Sequence, residues 1–168
     1  MIDAAFCKTM ARYNRWQHTS LTAAADTLDD AERIRDRGAF FGSIQGTLNH
    51  LLWGDTIWMS RFDGWRIPKT SIPDGTRLTA SWAAYKAARG DADARIIGWA
   101  DRLTGAELQG EMAWHSGALD ANVQKPKWLC VQGFFNHQTH HRGQVHCLLT
   151  AVGAVPQATD LIFMPEDA

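Results

Sequence analysis

The sequence predicts an all-α protein, a bundle of four amphipathic helices in a single domain over residues 1–168. Three observations support this fold class. Apolar side chains recur at steps of three and four residues in four long segments, which is the helical period. No segment shows the sustained two-residue alternation that is typical of a half-buried strand. Glycine and proline residues separate the four segments and mark the connections.

The first two helices are predicted from their apolar stripes. The first spans residues 3–28, and its stripe consists of Phe6, Met10, Tyr13, Gln17 and Leu21. The second spans residues 43–62, because Ser43 can cap its amino terminus. Its stripe consists of Ile44, Leu48, Leu51, Asp55, Trp58 and Phe62. Residues 63–78 contain two glycines and two prolines and are predicted to form a loop.

The other two helices lie in the C-terminal half. The third spans residues 79–103, with its inward side chains at Trp82, Tyr85, Ala92, Ile96, Trp99 and Leu103. Residues 103–126 contain several glycines and are predicted to form a long crossover, with at most a short strand-like or helical piece. The fourth helix begins after Pro126 and ends near Gly153, a suitable C-terminal cap. The two long connections favour crossovers over an up-down-up-down order.

Composition excludes several classes of protein. The 17 Lys and Arg residues and 18 Asp and Glu residues are scattered, whereas a nucleic-acid surface needs clustered cations. No segment has the length of about 20 apolar residues that a membrane span needs. The three cysteines are an odd number and do not suit a secreted disulfide framework. We therefore expect a cytoplasmic protein that binds neither nucleic acid nor a membrane.

The chain is rich in tryptophan, with eight residues spread along its length. Side chains of this size fill helical cores, and they also line pockets and subunit interfaces. The sequence leaves both roles open.

Four of the seven histidines lie between positions 137 and 146, inside the fourth predicted helix. His137 and His141 are four residues apart, so their side chains project from the same face, one turn apart. Apolar neighbours on that face direct both rings towards the core. Two neutral imidazoles in this arrangement can take adjacent positions on one metal ion. His146 projects to the opposite side, and His140 lies to one side of His137.

A third ligand to the same ion must come from a facing helix. His50 is the favoured candidate, because it lies in the middle of the second helix and Gly54 leaves room beside it one turn later. His18 on the first helix is the alternative. His115 lies in the crossover, where its position is unconstrained. Asp55 projects away from His50 and is expected to support a ligand or the fold, without binding the ion itself.

Three motifs resemble the DinB family, the DNA-damage-inducible, YfiT-like bundles. They are HQTHHRGQV at residues 137–145, YNRW at residues 13–16 and NHLLWGDTIW at residues 49–58. The first motif is fairly specific, whereas YNRW alone is weak. Together they extend the resemblance from residue 13 to residue 153.

The resemblance implies an up-down-down-up four-helix bundle that forms a homodimer. It also implies a metal site with His50, His137 and His141 as the ligands. The other polar residues of the HHRGQ run belong to the motif without being ligands. Related bundles with this histidine triad include thiol-dependent transferases and isomerases that use mycothiol, bacillithiol or glutathione.

Two functions of different classes agree with such a site. The first is a metal-dependent enzyme that holds one divalent ion, zinc or nickel, and acts on a small-molecule thiol or another small substrate. Thiol-group transfer is the favoured reaction, and hydrolysis is the alternative. The second function is a non-catalytic metal-binding or stress-response module. Asp55, His140 and Glu111 are candidates for a general base by their chemistry alone.

Overall fold

The computed structural model describes residues 1–168, which form five α-helices and one β-hairpin. These elements are α1 (Ala4–Asp26), α2 (Asp30–Ile34), α3 (Ile44–Phe62), α4 (Trp82–Arg102), β1 (Glu111–Ser116), β2 (Ala121–Pro126) and α5 (Lys127–Thr150). Short 3₁₀ turns occupy Pro73–Arg77, Gly105–Leu108 and Leu161–Phe163. The four predicted helices correspond to α1, α3, α4 and α5, and their ends lie within three residues of the predicted positions.

Side-chain caps fix where the long helices begin. The Ser43 hydroxyl accepts a hydrogen bond from the Gly46 N–H at 2.9 Å, which confirms the predicted cap of α3. Asp3 and Ser81 cap α1 and α4 in the same way. At the other end of the chain α5 stops at Thr150, and Gly153 follows with a φ of 81°, a left-handed conformation that favours glycine.

The four long helices enclose one hydrophobic core. Helix α1 packs against α4 and α5, and α3 packs against the same two helices. All the side chains predicted to point inward from α4 are buried, among them Tyr85, Ile96 and Trp99. None of the helices combines the length and the apolar character needed to span a membrane.

The all-α prediction requires a correction in the crossover, where residues 111–126 form an antiparallel β-hairpin. Its register pairs Glu111 with Pro126 and Ser116 with Ala121. Along β1 the side chains alternate between exposed and half-buried. This alternation covers only six residues, and the flanking glycines identify the segment as a turn region, so the strand period was not apparent from the sequence.

Candidate metal centre

Three histidines from two facing helices meet inside the bundle. His50 comes from α3, and His137 and His141 come from α5. When one ring nitrogen is taken from each histidine, the three nitrogen atoms all lie within 4.8 Å of one another. The ring centroids of His50 lie 5.4 Å from His137 and 4.8 Å from His141. The structure thus brings together the three residues that the sequence favoured as ligands.

The other candidate histidines lie outside this cluster. His18 is buried elsewhere, with its Nδ1 2.9 Å from an oxygen of Asp93. His115 is exposed on β1, and His146 is half-buried beside a separate cavity between α1 and α5. His140 is exposed, and its ring centroid lies 4.8 Å from that of His141.

Gly54 allows α3 and α5 to approach each other closely at the cluster. A Cβ atom at this position would lie 2.9 Å from Cε1 of His137, much closer than an ordinary contact. From the sequence, Gly54 was expected to leave room beside His50. The structure gives the room to His137, which comes from the facing helix.

Burial keeps the three imidazoles neutral at neutral pH, because it lowers the pKa of each ring. Phe41 stacks on His50 with a centroid separation of 3.7 Å. Burial, and then the nearby His141 and His137, lower the pKa of His50 to about 3. Burial also lowers the pKa of His137 to about 4, and it lowers the pKa of His141. A metal ligand must be an unprotonated imidazole, so these rings are ready to bind at neutral pH.

The nitrogen atoms of the three rings fit a divalent metal ion. The Nδ1 atoms of His50 and His137 are buried and have no hydrogen-bond partner in the protein. His141 Nδ1 lies 2.7 Å from Oε1 of Gln144, which leaves its Nε2 free. Two nitrogens that each lie about 2.1 Å from one ion are at most about 4.2 Å apart. Binding therefore requires only a small adjustment of the rings.

A layer of buried polar side chains crosses the bundle next to the histidines. Asp55 on α3 accepts a hydrogen bond from Arg89 at 2.6 Å and another from Gln138 at 2.7 Å. Arg89 also pairs with Asp93 at 2.9 Å. Gln138 in turn accepts a hydrogen bond from Asn14 on α1. All four long helices therefore contribute to this layer.

The charges in the layer stabilise one another. Burial alone would raise the pKa of Asp93, but Arg89 and His18 outweigh it and hold that pKa below its usual value. Both carboxylate oxygens of Asp55 are occupied by hydrogen bonds. Asp55 is thus built into the fold, as expected, which leaves it poorly suited to act as a general base. Glu111 is exposed on β1 and is hydrogen-bonded to Gln124.

A cleft of about 850 Å³ lies near the histidine cluster, on the side of Trp53. Trp53 joins the two, because its ring lines the cleft and also stacks near His50 at 5.9 Å. The indole N–H of Trp53 donates to the Thr70 carbonyl at 3.1 Å. Gly75 packs against the Trp53 ring, where a Cβ atom would lie 2.9 Å from Cγ. The sequence alone left the roles of the tryptophans open, and it did not predict this cleft.

Comparison with known proteins agrees with the resemblance seen in the motifs. The sequence model described as "DinB family" matches residues 1–168, the whole chain. No curated protein and no solved structure matches the chain significantly.

Proposed function

The chain belongs to the DinB family, and we propose that it binds a divalent metal ion at an open, catalytic three-histidine site. The observation that carries this proposal is the composition of the cluster. It contains His50, His137 and His141, and no cysteine, aspartate or glutamate joins them. Structural zinc sites use four protein ligands, whereas catalytic sites use three and keep a position for water or substrate.

The proposed reaction is thiol-group transfer with a small-molecule thiol. A divalent ion held by these histidines would lower the pKa of a bound water or thiol and would polarise a substrate. The protein side chains prepare for this in three ways. The buried ring of His50 and the half-buried ring of His137 stay neutral. Phe41 covers one face of His50, and Gln144 holds the orientation of His141.

The ion that we propose is zinc or nickel, one per chain, because imidazole suits both metals. The up-down-down-up order of the helices is also proposed, and the two long connections of the chain support it. The homodimer and the cytoplasmic location stay predictions.

Cobalt substitution tests whether the site is open and what it admits. We expect cobalt-loaded protein to develop a sulfur-to-metal absorption band when a small thiol is added, because thiolate enters the vacant position. His146→Ala should behave like the wild type, since this residue lies outside the cluster. A response to azide or carboxylates but not to thiols would favour hydrolysis. Full cobalt occupancy with no response to any of these ligands would contradict a catalytic site and favour the non-catalytic module.

A further inference from the structure

An arginine without an ion-pair or hydrogen-bond partner in the protein lies in the wall of the cleft near the histidine cluster. The guanidinium carbon of Arg61 lies 4.7 Å from the ring centroid of Trp58 and 5.3 Å from that of Trp114. No carboxylate pairs with Arg61, and its N–H groups make no hydrogen bond to the protein. Stacking on indole rings occupies the faces of a guanidinium and leaves the N–H groups at its edge free.

The charge of the cleft is one-sided. Arg61 is the only lysine, arginine, aspartate or glutamate among its 16 lining residues. Burial lowers the pKa of Arg61, but an arginine remains charged at neutral pH. A cation that is held in place, half-buried and without a counter-ion attracts an anionic group that can accept hydrogen bonds in the guanidinium plane.

Flat apolar surfaces surround this cation. Trp58 and Ile57 come from α3, and the β-hairpin brings Trp114 across to meet them, with the two indole centroids 5.6 Å apart. Trp53 lines the same cleft towards His50. The volume of about 850 Å³ falls within the range of cavities that enclose small organic ligands.

We propose that this cleft binds an organic anion that has a flat apolar body. Its anionic group is a carboxylate or a similar group. The anionic group pairs with the edge of Arg61, and the apolar body packs against the tryptophans between Trp114 and Trp53. Because Trp53 also stacks near His50, the far end of such a ligand points towards the metal centre. That this ligand is the substrate of the metal centre rests on the function proposed above.

Calorimetric titration with 2-naphthoate, and with its neutral analogue 2-naphthamide, tests the proposal. We expect the protein to bind naphthoate more tightly than naphthamide. Arg61→Met should weaken naphthoate binding by about tenfold or more, the usual scale for a charge-assisted pair, and should leave naphthamide binding unchanged. Arg61→Lys should recover part of the loss. The matched control is Arg95→Met, which removes an arginine 3.7 Å from the Trp65 centroid and outside the cleft, and it should change neither affinity.

The titrations are repeated with His137→Ala, so that the outcome does not depend on the metal. The proposal would be overturned if Arg61→Met bound naphthoate as tightly as the wild type does. It would also be overturned if the wild type bound naphthoate and naphthamide equally tightly. An absence of naphthoate binding, together with a change of oligomeric state in Arg61→Met, would show that a second copy of the chain covers the cleft, and this too would overturn it. If the wild-type protein binds no metal but still binds naphthoate in a way that depends on Arg61, only the proposed metal function is refuted.

Discussion

Gly54→Ala separates metal binding from stability, because metal affinity should fall while the stability of the metal-free protein changes little. The added methyl carbon would lie 2.9 Å from Cε1 of His137, whereas ordinary contacts begin at 3.4 Å. The His137 ring must therefore move away by about 0.5 Å or more, or the helices must separate. A displaced His137 should weaken metal binding about 10- to 100-fold, which is the usual effect of losing a group that orients a metal ligand.

The stability of the metal-free protein should change little in the same variant. Alanine favours a helix over glycine by about 0.5–1 kcal/mol, which offsets part of the strain at His137. The matched control is Gly133→Ala on α5, where an added Cβ meets nothing within 4 Å. That control should gain stability and keep its metal affinity. Metal affinity is measured by competition with a chromophoric chelator, and stability by urea unfolding. If Gly54→Ala bound metal as tightly as the wild type does, His137 would not need to pack closely on Gly54 to bind the ion, and this reasoning would be refuted.

Three further predictions concern pH and the side chains around the cluster. Because the pKa of His50 is lowered to about 3 and that of His137 to about 4, metal-free protein should lose stability as pH falls below about 6.5, since the unfolded chain then takes up protons that the folded chain does not. Bound metal should nevertheless persist at about pH 5, and release centred near the ordinary histidine pKa of about 6.5 would contradict this. Arg89→Met leaves two buried carboxylates without their shared cation and should cost about 3–5 kcal/mol in urea unfolding. Lys86→Met, which removes an exposed ion pair, should cost at most about 1 kcal/mol, and equal losses would argue against a buried charge layer. Gln144→Ala should weaken metal binding about 10- to 100-fold, because the ligand that Gln144 hydrogen-bonds loses its orientation, and unchanged affinity would rule out that role.

Periodicity and spacing predicted the four long helices and the pairing of His137 with His141, whereas α2 was not predicted and the choice of His50 over His18 also drew on the resemblance to the DinB family. Helical geometry alone places His137 and His141 on one face, and the apolar stripes identify which faces meet. The cap at Ser43 follows from its side-chain chemistry. The pairing of His137 with His141 and the cap at Ser43 each use local information that a single segment carries.

The polar layer could not be predicted in this way. Asp55, Arg89 and Gln138 lie on three different helices, and each alone interrupts an apolar stripe. Their burial is favourable only because the side chains satisfy one another, and that pairing depends on how the helices pack. The sequence allowed a short strand-like piece in the crossover but did not predict a paired hairpin, because the packing of Trp114 against Trp58 from α3 depends on the tertiary structure.

Metal stoichiometry of the protein purified without a histidine tag tests the central claim most directly. Elemental analysis should find one divalent ion per chain in the wild type and in His146→Ala. It should find no stoichiometric metal in His50→Ala, His137→Ala or His141→Ala, because each change removes one of the three clustered ligands. Circular dichroism confirms that the variants remain folded. Full metal content in a folded His50→Ala variant, or loss of metal in His146→Ala, would contradict the three-histidine site.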